Sequence, residues 1–241
     1  MSDTATTEES LRRIHLGVLA DAEKRLLLRL ADHLPASVMP DHLTVLGVVG
    51  AGLVLAGCLL AHWNASFLLL GILGRATNWF GDSLDGTLAR RRGIERPLYG
   101  FYIDQFSDVA GHLMILVGLG LSPLMRLDTA LLSMLASLLT MFYGHLRLPF
   151  DRTWMVSQHA MGPTELRILI GFGLLVGALF GIPSLETRIG VLSVFDAVGV
   201  VAFVGGLFGI AVRFREDRPR FAAADTGARP DEPGPREPDG P

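Results

Sequence analysis

Between Leu43 and His62 the chain runs for 20 residues without one Asp, Glu, Lys or Arg. As a helix, a stretch of that length spans the roughly 30 Å hydrocarbon core of a bilayer. Five further mostly apolar stretches follow, at Phe67–Arg90, Leu98–Leu121, Leu127–Leu146, Glu165–Gly181 and Ile189–Val212. The fifth is the shortest, and the second and third carry charges inside them. Repeated long apolar segments exclude a disordered chain and a small soluble domain. Charged residues make up 19% of the 241, below the roughly 25% of soluble domains. The expectation is an all-α, integral membrane bundle of six transmembrane helices. The single cysteine, Cys58, excludes a disulfide framework and a cysteine zinc site. Met1–Ser10 is polar and acidic, so no signal peptide is expected there.

Arginine placement orients the bundle. Of the 21 Lys and Arg residues, 18 fall before the first span, in the even-numbered turns or after the sixth span. Only Arg126 and Arg188 fall on the other side, and Arg75 lies within a span. The positive-inside rule then puts both termini in the cytoplasm. The net charge of −3 averages arginine-rich flanks with an acidic tail. No nucleic-acid partner is expected.

Residues 1–9 are expected to be disordered. Over 10–34, Leu11, Ile14, Val18, Ala22, Leu26 and Leu30 recur at steps of three and four. That pattern predicts an amphipathic helix along the cytoplasmic interface. The bundle itself is assigned to 40–215. The Pro-rich segment 216–241 is expected to be a disordered tail.

Chemistry concentrates around the second turn. Asp82 and Asp85 are three residues apart, and Asp104 and Asp108 are four apart, so each pair shares a helical face. With the two spans folded as a hairpin about Arg91–Pro97, Asp85 and Asp104 differ in depth by only about 3 Å. Four carboxylates then converge just below the cytoplasmic surface. Like charges in a low-dielectric site need compensation. An all-oxygen set suits hard divalent cations such as Mg²⁺ or Mn²⁺, and two such ions can clamp a phosphoryl group during transfer. Gly86 and Ala89 clear a shallow groove beside the acids, suited to a flat nucleobase. Arg90 at the mouth suits a diphosphate, and Gly100 lets the facing helix approach. Two other readings stand beside this one. The acids could form an ion-pair network with Arg75 or Arg90, or line a cation path in a transporter. A transporter would favour carboxylates at mid-span, whereas these sit at one end.

The pattern Asp82-x2-Asp85-Gly86-x2-Ala89-Arg90 followed by Gly100-x3-Asp104-x3-Asp108 resembles the signature of the CDP-alcohol phosphotransferase family, class I. The turn between Arg90 and Gly100 holds nine residues, one more than the usual pattern, and both halves keep their internal spacing. The resemblance implies six spans, an N-terminal interfacial helix and a homodimer in the bacterial cytoplasmic membrane. It implies that a CDP-alcohol donor transfers its phosphoalcohol to an acceptor hydroxyl and releases CMP. By the same likeness, Asp82, Asp85, Asp104 and Asp108 are metal ligands for Mg²⁺ or Mn²⁺, two ions in all. Asp108 doubles as general base, Gly86, Ala89 and Gly100 border the CDP, and Arg90 meets its phosphates. A base must reach the attacking hydroxyl, but chemistry alone does not select Asp108 among the four. CDP-diacylglycerol with a small polar, phosphorylated or unphosphorylated acceptor is the leading pair. The alternative is a CDP-choline or CDP-ethanolamine type of donor with a lipid hydroxyl.

Three basic residues at cytoplasmic helix ends, Arg147, Arg152 and Arg167, are candidates for binding the acceptor. The bland reading of the same residues is topological, as arginines that meet lipid headgroups. Gly162-Pro-Thr-Glu-Leu-Arg167 reads as a helix start. Asp41, after Pro40, reads as a helix N-cap.

Overall fold

The computed structural model of the chain describes residues 12–14, 20–151, 153–155, 163–181, 184–187 and 190–225. Seven helices dominate these residues: α1 (Ala20–His33), α2 (Pro40–Leu60), α3 (Leu68–Arg92), α4 (Pro97–Gly120), α5 (Leu127–Asp151), α6 (Pro163–Phe180) and α7 (Val194–Asp225). The protein is therefore all-α. A 3-10 turn at Ala65–Phe67 precedes α3. Two short strand pairs complete the described residues. β1 (Arg12–Ile14) runs parallel to β2 (Thr153–Met155), and β3 (Ser184–Thr187) forms an antiparallel hairpin with β4 (Gly190–Ser193). Three helical segments among the described residues are long and apolar enough to cross a membrane: Pro40–Leu60, Leu127–Leu148 and Val194–Ala223. Leu166–Phe180 is apolar but shorter. α3 and α4, of 25 and 24 residues, hold the aspartates.

The closest helix pair is α2 with α3, and glycine makes it possible. A Cβ added at Gly50 would stand 2.3 Å from the Asn78 nitrogen, and one at Gly81 would stand 2.4 Å from the Gly47 nitrogen and the Leu43 oxygen. Backbone therefore meets backbone, as small residues permit between membrane helices. α4 packs on the other flank of α2, where a Cβ at Gly118 would approach the Leu55 Cα to 2.9 Å. The main apolar core unites these helices with α6 through Ala51, Val54, Cys58, Leu68, Ile115, Leu119 and Leu174. α5 pairs with α7, and α6 lies along α3.

Four details differ from the sequence expectations. α7 begins at Val194, five residues after the expected start, because residues 184–193 form the β3–β4 hairpin. A reciprocal cap sets that start. The Ser193 N–H donates to Asp196 Oδ2 at 2.8 Å, and the Asp196 N–H donates to Ser193 Oγ at 3.2 Å. At the other end α7 continues to Asp225, into the segment assigned to a disordered tail. Asp217 anchors it there by accepting from Tyr143 Oη at 2.8 Å and pairing with Arg147 at 3.1 Å. Among the described residues the N-terminal helix is Ala20–His33, and β1 lies in the segment expected to be helical. Leu27 and Ala31 of α1 pack into the protein, and Ala22 and Leu26 of the expected apolar stripe are exposed. Finally, α3 and α4 touch each other little and meet mainly through α2. Residues 1–9 lie outside the described residues.

Candidate active site

The site starts from how α3 is rotated. Leu84 and Leu88, one turn apart, are fully buried against Leu27 and Ala31 of α1 and Leu43 of α2. At about 100° per residue, this turns Asp82, Gly86 and Ala89 to the other side of the helix and leaves Asp85 on the flank that meets α2. α1 is held to that back face by polar contacts as well. Trp79 Nε1 donates to Glu23 Oε1 at 2.6 Å, Arg91 grips Asp32 with two hydrogen bonds, and Arg92 donates to the carbonyls of Leu34, Pro35, Ala36 and Val38.

Asp82 of α3 meets Asp104 and Asp108 of α4. One carboxylate oxygen from each lies within 4.8 Å of the other two. The Arg167 guanidinium, from the first turns of α6, donates to Asp82 Oδ2 and, at 2.8 Å, to Ser83 Oγ. A candidate acceptor residue thus stands on the acid cluster itself. Gln105 Nε2 lies 3.4 Å from Asp104 Oδ2.

Asp85 stands outside this group of three. It is the most enclosed of the four acids, 9% exposed. Its Oδ2 accepts from Thr44 Oγ1 of α2 at 2.6 Å, and its Oδ1 accepts from the Gly86 N–H at 2.5 Å. The four acids stand out along the chain, whereas Thr44, at the start of the first span, carries no assigned role there. Thr44 and Asp85 are 41 residues apart, and no local spacing links them.

The other expected residues sort themselves by contact. The Arg90 guanidinium lies over Gly86, where an added Cβ would meet its Nη1 at 3.3 Å. A Cβ at Gly100 would meet nothing within 4 Å, so Gly100 does not serve close packing of α4 on α3. Ala89 is half-buried on the same side of α3 as Asp82. Arg147 is buried in an ion pair with Asp217 of α7, and Arg152 lies outside the described residues. Arg75 donates to Asn78 Oδ1, and Asn78 Nδ2 donates to the Gly47 carbonyl at 2.9 Å. Asp41 does not cap α2. Pro40 opens that helix, and the Asp41 carboxylate turns to Arg96 at 2.5 Å, whose guanidinium stacks 4.2 Å from the Tyr99 ring.

This donor set fits a hard divalent cation. All the atoms are oxygen, and opposite ligands on Mg²⁺ stand about 4.2 Å apart, from bonds of about 2.1 Å each. Three carboxylate oxygens within 4.8 Å can close on one ion with small side-chain movement.

An oxygen-only carboxylate cluster suited to a hard divalent cation, on two helices of a bundle that carries membrane-type spans, fits a phosphoryl-transfer class of site. The family comparison is more specific. Residues 37–208 match the model of the CDP-alcohol phosphatidyltransferase family, and the chain belongs to that family. The match covers well over half of the 241 residues. It includes all four aspartates, Thr44 and Arg167. Members transfer a phosphoalcohol from a CDP-alcohol to an acceptor, and the family generally uses divalent metals. A search of curated proteins gave no match.

Proposed function

We propose that this protein is a membrane-embedded transferase that moves the phosphatidyl group of CDP-diacylglycerol to the hydroxyl of a small polar acceptor, releasing CMP. The observation that carries the reading is the group of Asp82, Asp104 and Asp108 with Arg167 on its edge. The acids supply a metal site, and Arg167 supplies a cation for an anionic group on the acceptor. Asp82, Asp85, Asp104 and Asp108 are the ligand set in this proposal. These residues would hold a pair of Mg²⁺ or Mn²⁺ ions, which would supply charge neutralisation for the diphosphate and Lewis-acid activation of its phosphorus.

The remaining steps belong to the chain's own residues. Gly86, Ala89 and Gly100 leave room for the cytidine, and Arg90 takes the diphosphate oxygens. Asp108 accepts the proton of the acceptor hydroxyl. The acceptor oxygen then bonds to the phosphorus next to the diacylglycerol. The bond from that phosphorus to the bridging oxygen breaks, and CMP leaves with that oxygen. Arg167 steadies the acceptor. Arg147, engaged with Asp217, holds α5 to α7 and stands outside this list.

Six spans, α2 to α7, are part of the proposal, with α1 lying on the cytoplasmic interface. The arginine distribution supports this orientation, as do Leu26 and Leu28, exposed beside Lys24, Arg25 and Arg29. Both termini and the active site then face the cytoplasm of a bacterial cell. A homodimer rests on the family likeness.

The test is a screen of the purified protein with Mg²⁺ or Mn²⁺. CDP-diacylglycerol, CDP-choline and CDP-ethanolamine are offered against glycerol phosphate, inositol phosphate, free polar alcohols and diacylglycerol, and the lipid products are identified by mass. A product from CDP-diacylglycerol and a polar acceptor is expected. A product only from CDP-choline or CDP-ethanolamine with diacylglycerol would reverse the donor assignment.

A further inference from the structure

We infer that Thr44 is a positioning residue for Asp85, acting from α2 on a carboxylate of α3. The inference rests on the proposed role of Asp85 as a metal ligand. Its geometry begins with the glycine crossing. Because Gly81 meets the Gly47 nitrogen and the Leu43 carbonyl without a side chain between them, the next turn of α2 comes within side-chain reach of Asp85. Thr44 Oγ1 then stands 2.6 Å from Asp85 Oδ2.

The direction of the proton follows from the distances. Thr44 has one hydroxyl hydrogen and two acceptors nearby, the Pro40 carbonyl at 3.3 Å and Asp85 Oδ2 at 2.6 Å. The shorter contact, to a carboxylate, is the stronger, so Thr44 donates to Asp85. The Gly86 N–H donates to the other oxygen at 2.5 Å. A donor on each oxygen fixes the plane of the carboxylate. Rotation about the Asp85 side-chain bonds would break one contact or the other. The free lone pairs are then presented in one direction, as outer-shell donors do for ligating carboxylates. The β-branch of Thr44 restricts its own rotamers on a helix, so the hydroxyl is held as well. Asp82, Asp104 and Asp108 already lie within 4.8 Å of one another. Asp85 lies outside that group, and it is a residue of α2 that orients it.

The experiment is Mn²⁺ titration of the detergent-purified protein, with free Mn²⁺ followed by electron paramagnetic resonance. Wild type is compared with Thr44→Val, which keeps the shape and removes the hydroxyl, and with Thr44→Ser, which keeps the donor. Thermal unfolding without metal is recorded in parallel. Loss of an outer-shell partner typically weakens metal binding by about 10–100-fold. We expect Thr44→Val to lose about tenfold or more in affinity for at least one Mn²⁺, and Thr44→Ser to bind like wild type. Wild-type Mn²⁺ binding by Thr44→Val, with or without a lowered melting temperature, would overturn the inference and leave Thr44 a structural tie. Failure of the wild-type protein to bind Mn²⁺ would instead remove the metal-site reading, and this inference with it.

Discussion

Charged side chains inside this bundle serve two purposes, and Asp108 and Arg147 represent them. Asp108 faces two other acids and, in the proposed reaction, the acceptor hydroxyl. Asp108→Asn is expected to lower turnover by about 10²–10⁴-fold, the usual contribution of a general base, in a CMP-release assay. Arg147 faces Asp217 in a nearly dry contact, 9% and 5% exposed. Arg147→Gln leaves that carboxylate buried with its principal countercharge gone, which typically costs about 3–5 kcal/mol. The expected outcome is a clear fall in melting temperature in detergent, with the KM for the acceptor unchanged in the folded fraction. Arg167→Gln should show the opposite split, a raised acceptor KM with little loss of stability. A reversal of the two phenotypes would exchange the assigned roles.

At the scale of elements, the site depends on how α2 crosses α3 and how α1 backs α3. Gly81→Ala forces a Cβ to within 2.4 Å of α2 backbone, which should destabilise by about 1–3 kcal/mol through overpacking. Gly100→Ala meets open space and should leave the melting temperature alone while raising the KM for the CDP donor. Equal destabilisation by the two would contradict the crossing. On the back face, the hydrogen bond from Arg91 holds the Asp32 carboxyl below its ordinary 3.8. That contact stabilises docked α1 above the ordinary value and is lost as pH falls through the lowered one. Hydrogen exchange across residues 20–33, corrected for intrinsic rates, should accelerate below about pH 4, and Asp32→Asn should abolish that step. An unchanged step in the variant would assign it elsewhere. These elements were unequally legible. Hydropathy located α2, α3, α4 and α6 to within about three residues and the start of α5, which runs on five residues past its expected end to Asp151. It merged β4 with α7, since Val191 and Leu192 are as apolar as the helix that follows, and short apolar runs do not distinguish strand from helix. Glycines at 47, 50 and 57 mirror those at 71, 74 and 81, a spacing that marks the crossing once it is looked for.

At the scale of the molecule, the acids sit where one helix pair is brought together by a third. Their spacing on each helix could be read along the chain, since three and four residues make one face. The contacts Thr44–Asp85 and Arg167–Asp82 could not, because they join residues 41 and 85 positions apart and exist only once the helices pack. The proposed orientation has its own check. Cys58 is wholly buried, which leaves a quiet background for single exposed cysteines at Ser37 and Ala65. A membrane-impermeant maleimide should label Ala65→Cys in intact cells and Ser37→Cys only after the membrane is opened. The reverse pattern would invert the topology. The central claim is that the aspartate cluster is the phosphotransfer centre, and CMP release tests it most directly. Purified protein with Mg²⁺ or Mn²⁺, CDP-diacylglycerol and its polar acceptor should liberate CMP, omission of the acceptor should abolish it, and Asp→Asn at 82, 85, 104 or 108 should each cut it by about 100-fold or more. Normal CMP release from all four single variants would contradict the account.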